Sequence, residues 1–192
     1  GSLMSLINLC DMSKKRQQLI DIALQLFYER GVNSVGINEI LSVSGIAKKT
    51  LYNHFPSKED LVLATLKQRN DNFLVWLEVT LNEADTDIEV VNKLFYGLSA
   101  WFANTAVELG NFRGCFFINT SAEFSDPSSK ISQYCQAHKQ QVRQIINQHL
   151  SQSNPELLDT ICVLKEGAIT MAYVNHDLSM PKKCIEIIKK IL

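Results

Sequence analysis

The sequence is poor in residues that break helices, with only four prolines and eight glycines among 192 residues. Because proline and glycine end or interrupt helices, their scarcity favours a few long helices over many short strands and turns. Hydrophobic residues make up 46% of the chain, which is enough for a sizeable core. We therefore predict an all-α protein with a small N-terminal domain and one further helical domain.

Long hydrophobic runs are also missing. No stretch of about 18 consecutive apolar residues is present, so we expect no membrane-spanning helix and no membrane partner. The first residues lack the basic, apolar and cleavage-site order of a signal peptide. The sequence therefore predicts a cytoplasmic protein.

Motifs for catalysis and for metal binding are absent from the sequence. There is no glycine-rich phosphate loop, no G-x-S-x-G, no H-E-x-x-H and no readable nucleophile–base pair. The four histidines lie at no metal-ligand spacing, and the five cysteines form no C-x-x-C pair. We expect no enzyme, no metal and no cofactor, with reduced cysteines that mostly fill the core. A redox-sensor role for Cys115 or Cys135 remains an open alternative.

Charge is nearly balanced overall, at −1, but it is unevenly distributed. Residues 13–55 carry a net charge of +3, whereas the remainder carries −4. A basic N-terminal region on an acidic body favours one face for a polyanion.

Residues 36–60 predict two short helices around a tight turn and the start of a third helix. Gly45 can adopt the positive φ that a sharp turn needs, and Pro56 ends the second helix. Ser57 to Asp60 matches the [ST]-x-x-[DE] N-cap pattern. Leu51 and Phe55 lie four residues apart and should face inward. The second helix then presents donors and an aromatic side chain on its outer face, as a helix that enters the DNA major groove does.

Two interpretations of this helix-turn-helix stay open on spacing alone. In the first, the motif binds DNA. In the alternative, it is only a structural corner in a helical small-molecule-binding or interaction protein, and the two lysines are a solvated face. Salt-dependent binding to random duplex DNA would distinguish them, since phosphate contacts release counterions.

Residues 45–61, GIAKKTLYNHFPSKEDL, resemble the signature of the TetR family of bacterial regulators. The resemblance extends over residues 13–61 and is weaker beyond. Three positions depart from the family pattern: Ala47 stands where serine is frequent, Lys49 where glycine is frequent, and Gly36 where threonine or serine often caps the first motif helix.

The resemblance implies a helix-turn-helix DNA-binding domain at residues 12–56 and a helical ligand-binding and dimerisation domain at 57–192. It implies a homodimeric repressor that a small molecule releases from a palindromic operator, with helices at about 128–150 and 155–175 pairing into a four-helix bundle. The side chains expected to contact DNA lie on or just after the second motif helix: Lys48, Lys49, Thr50, Tyr52, Asn53, His54 and Lys58.

Helical periodicity also predicts the elements of the body. The predicted helices cover residues 13–30, 57–82, 87–108, 115–124, 128–150, 155–175 and a terminal segment from Pro181. The helix at 115–124 is apolar on every side, so we expect it to be buried.

Polar residues on that predicted buried helix need partners. Asn119 and Glu123 lie four residues apart on it, and two roles stay open for them: a structural network, or the polar lining of a ligand pocket. The pocket hypothesis places a largely apolar effector among residues from several helices: Trp76, Phe102, Asn119, Glu123 and His138.

Overall fold

The computed structural model describes residues 3–152 and 154–192, with side chains described from residue 8 onward. The helices in these ranges are α1 (Leu3–Arg30), α2 (Ile37–Ser44), α3 (Lys48–His54), α4 (Lys58–Leu81), α5 (Asp87–Phe102), α6 (Phe116–Glu123), α7 (Lys130–His149), α8 (Pro155–Asn175) and α9 (Met180–Lys189), with a 3₁₀ turn at Val107–Leu109. No strand occurs in the described ranges, and the predicted all-α class is confirmed. None of these helices combines the length and hydropathy that a membrane crossing requires.

Two predicted helix boundaries are wrong. α1 begins at Leu3 and not at Ser13, because no proline or glycine interrupts residues 3–30 and Lys15 pairs with Asp11 one turn earlier at 2.9 Å. α5 ends at Phe102 and not near residue 108, because Asn104 adopts a φ of +61° and reverses the chain before the 3₁₀ turn.

The helix predicted at 115–124 is not buried on every side. α6 buries Phe116, Phe117 and Thr120, but Ile118 is 42% exposed and Ala122 is exposed. The apolar composition of this helix therefore overstates its burial, because an exposed apolar residue is common on protein surfaces.

The chain divides into two compact units. The first comprises the described residues up to 69 together with 116–135, and the second comprises 70–115 and 136–192. The division falls within α4 and within α7. The domain boundary expected between residues 56 and 57 remains a prediction.

In the first unit, α1 packs against α2 and α3. The core residues of this unit are each at most 1% exposed: Leu19, Ala23, Phe27, Ile40, Leu51, Leu61 and Leu66. Burying one leucine or phenylalanine side chain stabilises a fold by about 1.5–3 kcal/mol, so this small core is sufficient to hold α3 in place.

In the second unit, α9 packs against both α5 and α8, and α5 also contacts α8. Aromatic side chains fill part of the core. The Phe73 ring lies 5.7 Å from that of Trp101, and Phe112 lies 5.0 Å from Trp101 and 4.6 Å from Phe102. These separations are those of favourable offset or edge contacts, so the cluster contributes rigidity as well as burial.

Candidate nucleic-acid interface

The turn between α2 and α3 is built as the sequence predicts. Gly45 ends α2 with a φ of +67°, and its amide donates to the Leu41 carbonyl at 2.9 Å. The Ser44 hydroxyl accepts from the Ile46 amide at 3.2 Å and donates to Leu41 O at 3.3 Å. Gln18 of α1 donates to the Ser44 carbonyl at 3.3 Å. These bonds fix the angle at which α3 leaves α2.

α3 presents a polar face because its apolar residues point inward. Leu51 is 0% exposed and Phe55, just after the helix, is 2% exposed. The opposite face carries four exposed side chains: Lys48, Lys49, Tyr52 and Asn53. Thr50 lies beside them and is half-buried. Ammonium, phenol and amide groups can donate to base edges and phosphates, so this face has the chemistry of a recognition helix.

Lys58 and His54 lie apart from that exposed face. The Lys58 ammonium donates to the Val32 carbonyl at 2.8 Å and lies 5.8 Å from the centre of the Phe27 ring. His54 is half-buried, and its Nε2 is buried without a hydrogen-bond partner in the described part of the chain. Both side chains therefore contact residues of the first unit. That they also contact DNA remains a prediction.

The start of α4 is capped reciprocally, and the predicted N-cap is confirmed. The Ser57 amide and hydroxyl donate to Asp60 Oδ2 at 3.1 and 2.7 Å, while the Asp60 amide donates to Ser57 Oγ at 3.1 Å. This arrangement satisfies amides that the first helical turn leaves unpaired. The chain therefore leaves the helix-turn-helix through a well-defined corner.

Glu123, the last residue of α6, is bonded to the segment that precedes α2. Its two carboxylate oxygens accept from the amides of Val32 and Asn33 at 2.8 and 2.6 Å. Gly31 leaves room for this approach, since an added Cβ there would lie 3.1 Å from Glu123 Oε1. These bonds favour the structural role of Glu123 over its role in the lining of a ligand pocket.

The five residues of the predicted pocket fall into two units. Asn119, which is half-buried, and Glu123 belong to the first unit, whereas Trp76, Phe102 and His138 belong to the second. His138 is 2% exposed, and its Nδ1 lies 2.7 Å from Asn70 Oδ1. A joint pocket of all five residues remains a prediction.

The second unit also contains a charge cluster around one buried lysine, which the sequence pattern did not predict. Lys165 is only 3% exposed, and its ammonium lies 2.5 Å from Glu166 Oε1, which Lys139 Nζ also reaches at 2.7 Å. Lys139 Nζ also lies 3.3 Å from Cys115 Sγ. The sequence offers one indication that Lys165 is buried: it lies on the apolar stripe of α8, four residues after the buried Ile161.

Burial would raise the pKa of Glu166, but the ammonium groups of Lys165 and Lys139 outweigh burial and hold that pKa below its ordinary value. Burial would likewise lower the pKa of Lys139, but the Cys115 and Glu166 side chains raise it. Glu166 is therefore ionised at neutral pH, between the side chains of Lys165 and Lys139.

A cleft of about 360 Å³ lies elsewhere in the second unit. Its lining comes from the outer side of α4 and from the 3₁₀ turn: Asp71, Asn72, Val75, Trp76, Val79 and Glu108. Of these, only Trp76 was among the residues predicted to bind a ligand.

Residues 19–65, which include α2, α3 and the capped corner, match the model of the family described as bacterial regulatory proteins of the tetR family. The helix-turn-helix region of the chain is thus similar to that of the TetR family. The family recognised in residues 45–61 is thereby confirmed.

Solved structures share the TetR-family fold. SCO4454, a TetR-family transcriptional regulator from Streptomyces coelicolor, has a TM-score of 0.81 at 24% identity, covering 93% of this chain and 94% of that one. Escherichia coli NemR in its reduced form has a TM-score of 0.74 at 20% identity, covering 92% and 96%. Both likenesses support the predicted order of an N-terminal helix-turn-helix and a C-terminal helical domain.

Curated relatives match only part of the chain. The regulator LuxR of Vibrio harveyi is 32% identical over 100 residues, which is 46% of this chain and 49% of LuxR. The chain thus spans about half the length of this relative. LuxR is named as an HTH-type transcriptional regulator, which agrees with the expectation that this chain is not an enzyme.

Proposed function

We propose that this protein is a homodimeric transcriptional repressor of the TetR family, which binds a palindromic operator and is released from it by a small molecule. The observation that carries the proposal is the exposed face of α3, where Lys48, Lys49, Tyr52 and Asn53 stand out while Leu51 is fully buried. A helix held from behind in this way can enter the major groove without unfolding any core contact.

The base-reading roles follow from position on α3. Lys49 lies in the first turn of the helix, from which side chains reach base edges, and its ammonium can donate to guanine O6 and N7. Asn53, one turn later, can pair with adenine. Lys48, Thr50 and Tyr52 flank these two residues and suit phosphate contacts.

The expectation for the dimer is pairing through α7 and α8, and α8 supplies an observation in its favour. Its exposed side carries Val163, Met171 and Val174, which are 69%, 41% and 64% exposed, around Gly167. The spacings of four, four and three residues place these on one stripe. An exposed apolar stripe suits the same stripe of a second copy across a twofold axis.

Ala168 and Ala172 do not belong to that outer stripe, although they lie close to Gly167 on α8. They are 0% and 3% exposed, because they pack inside the second unit. Gly167 has open space beside it, with nothing within 4 Å of a Cβ added there. A dimer test should therefore change the outer stripe and leave these alanines unchanged.

Release by ligand would act through α4. α4 begins at Lys58, just after α3 ends at His54, and it continues for 24 residues. A ligand that favours one position of α4 would shift the two recognition helices from the separation of roughly 34 Å that successive half-sites require. A typical coupling of this kind is worth about 1–3 kcal/mol.

Binding to duplex DNA at several salt concentrations tests the proposal against the structural-corner alternative. The wild-type protein should bind duplex DNA, and the affinity should fall steeply with salt as phosphate contacts are screened. The control variant Lys182→Ala removes an exposed lysine of α9, outside the helix-turn-helix, and should bind DNA as the wild type does. Binding that is absent at low salt, or insensitive to salt, would support the corner alternative.

A further inference from the structure

Arg16, on α1, lies beside the end of the α3 helix. Its guanidinium carbon lies over the ring of Phe55, 4.9 Å from the ring centre. Phe55 directly follows α3 and is 2% exposed, and its amide donates to the Leu51 carbonyl at 2.8 Å. A cation within about 6 Å of the centre of an aromatic ring is attracted to the face of that ring. The guanidinium is therefore held next to the C-terminal end of α3 by a ring that the core fixes in place.

The donors of Arg16 are unused within the first unit. The residue is exposed, and among the described side chains its guanidinium takes part in no ion pair and no hydrogen bond. Its neighbour Lys15, by contrast, pairs with Asp11 at 2.9 Å. A guanidinium carries five N–H donors in a planar fork that matches the oxygens of a phosphate. Arg16 therefore offers a phosphate from outside the chain several donors at a fixed position.

Positive side chains then lie at both ends of α3. Lys48 and Lys49 begin the helix and are exposed, and Arg16 lies beside its other end. The seven residues of α3 rise by 1.5 Å each, so the helix is about 10 Å long. The major groove of DNA is about 12 Å wide, and phosphates line both of its edges. Cations at the two ends of a helix of this length can reach both edges while the exposed face of the helix meets the bases.

Lys58 also follows α3, but its ammonium is directed into the first unit. It donates to the Val32 carbonyl at 2.8 Å and lies 5.8 Å from the centre of the Phe27 ring. A phosphate would compete with that carbonyl for the Lys58 ammonium, whereas Arg16 has no such competitor among the described residues. Arg16 is therefore the better placed of the two cations for a phosphate at this end of α3.

We propose that Arg16 is an additional DNA-backbone contact, whose guanidinium binds a phosphate at the edge of each half-site while Phe55 holds it in position. Because the side chain is positioned before DNA binds, less conformational freedom is lost on binding. A phosphate contact carries no sequence information, so Arg16 sets affinity and register and not base preference. This inference rests on the proposed function, since it requires α3 to be the helix that meets DNA.

Arg16→Met tests the contact, because methionine keeps an unbranched side chain beside the ring and removes the charge. Each neutralised phosphate contributes about −0.9 to the slope of log affinity against log salt. Loss of one contact in each of two subunits should therefore make the slope shallower by about 1.8 and lower the affinity by roughly ten- to a hundredfold at about 0.1 M salt. The loss should be equal for random duplex DNA and for the duplex that the wild type selects, and the selected sequence should not change.

Two further variants calibrate this result. Arg16→Lys keeps the charge but not the planar fork, so it should retain the wild-type slope and lose less affinity than Arg16→Met. Lys182→Ala removes an exposed lysine of α9 and should match the wild type in both slope and affinity.

Thermal unfolding and the wild-type measurement separate the possible outcomes. A lower melting temperature of Arg16→Met with the wild-type slope and affinity would mean that Arg16 only packs against Phe55, which overturns the proposal. A changed selected sequence would overturn it as well, because Arg16 would then read a base. If the wild type binds DNA with a steep salt slope and Arg16→Met binds identically, the Arg16 proposal alone fails. If the wild type binds no duplex DNA, the proposed function fails and the Arg16 contact fails with it.

Discussion

Replacing Glu123 tests how the helix-turn-helix is held in the first unit. The two carboxylate oxygens accept from the Val32 and Asn33 amides at 2.8 and 2.6 Å, and these amides precede α2. Glu123→Ala removes both acceptors and leaves two backbone donors without them. Glu123→Gln keeps one acceptor oxygen but turns an NH₂ group toward the second amide, so it should lose about half of the effect.

The magnitude follows from the kind of bond. A hydrogen bond to a charged group contributes about 1.5–3 kcal/mol, and the half-buried position of Glu123 lowers that figure through solvent screening. We expect a loss of about 2–4 kcal/mol for Glu123→Ala and about 1–2 kcal/mol for Glu123→Gln. In a chain of this length each kcal/mol lowers the melting temperature by about 2–4 °C.

Thermal unfolding followed by circular dichroism measures this loss. Glu59→Gln is the matched control, because Glu59 is an exposed glutamate of the same unit, and its change should stay within about 1 kcal/mol. A Glu123→Ala protein as stable as the wild type would refute the structural role, and an altered ligand response without loss of stability would favour the pocket.

Three further changes test other contacts. Lys58→Ala should flatten the salt dependence of DNA binding by about one phosphate per subunit if Lys58 binds phosphate; a lower melting temperature with an unchanged slope would mean that only its bond to Val32 matters. Val163→Arg should convert the dimer to monomer in sedimentation and abolish operator binding, and a variant that stays dimeric would place the contact on another face. Glu166→Gln should destabilise by about 2–4 kcal/mol because it leaves the buried Lys165 ammonium without its carboxylate. Because folding lowers the pKa of Glu166, its stabilisation is present above the unfolded pKa and is lost as pH falls through the lower folded value, so the variant should show a shallower acid dependence than the wild type.

Local features were predictable from the sequence because they depend on neighbouring residues. The turn at Gly45 and the reciprocal cap between Ser57 and Asp60 each involve residues no more than four positions apart. The orientation of α3 was also predictable, since Leu51 and Phe55 define its inner side by helical spacing alone.

Contacts between distant parts of the chain were not predictable in the same way. Glu123 bonds to amides about ninety residues earlier, and no local pattern indicates which backbone amides a glutamate will meet. Burial depends on tertiary neighbours as well, so Ile118 is exposed although the helix at 115–124 is predicted to be buried on every side. The cleft was not predictable either, because its lining joins α4 to a 3₁₀ turn. That turn begins where the sequence predicts the end of a continuous helix.

Sequencing the DNA that the purified protein selects from random duplexes tests the central claim most directly. The account predicts an inverted repeat whose half-sites lie about one helical turn, or a multiple of it, apart, because two α3 helices read it across a twofold axis. Lys49→Ala should cost about 1–3 kcal/mol and relax the preference at one position of each half-site, while Lys182→Ala should select the wild-type sequence. Recovery of no preferred sequence, or of the same sequence by Lys49→Ala with undiminished affinity, would contradict the account.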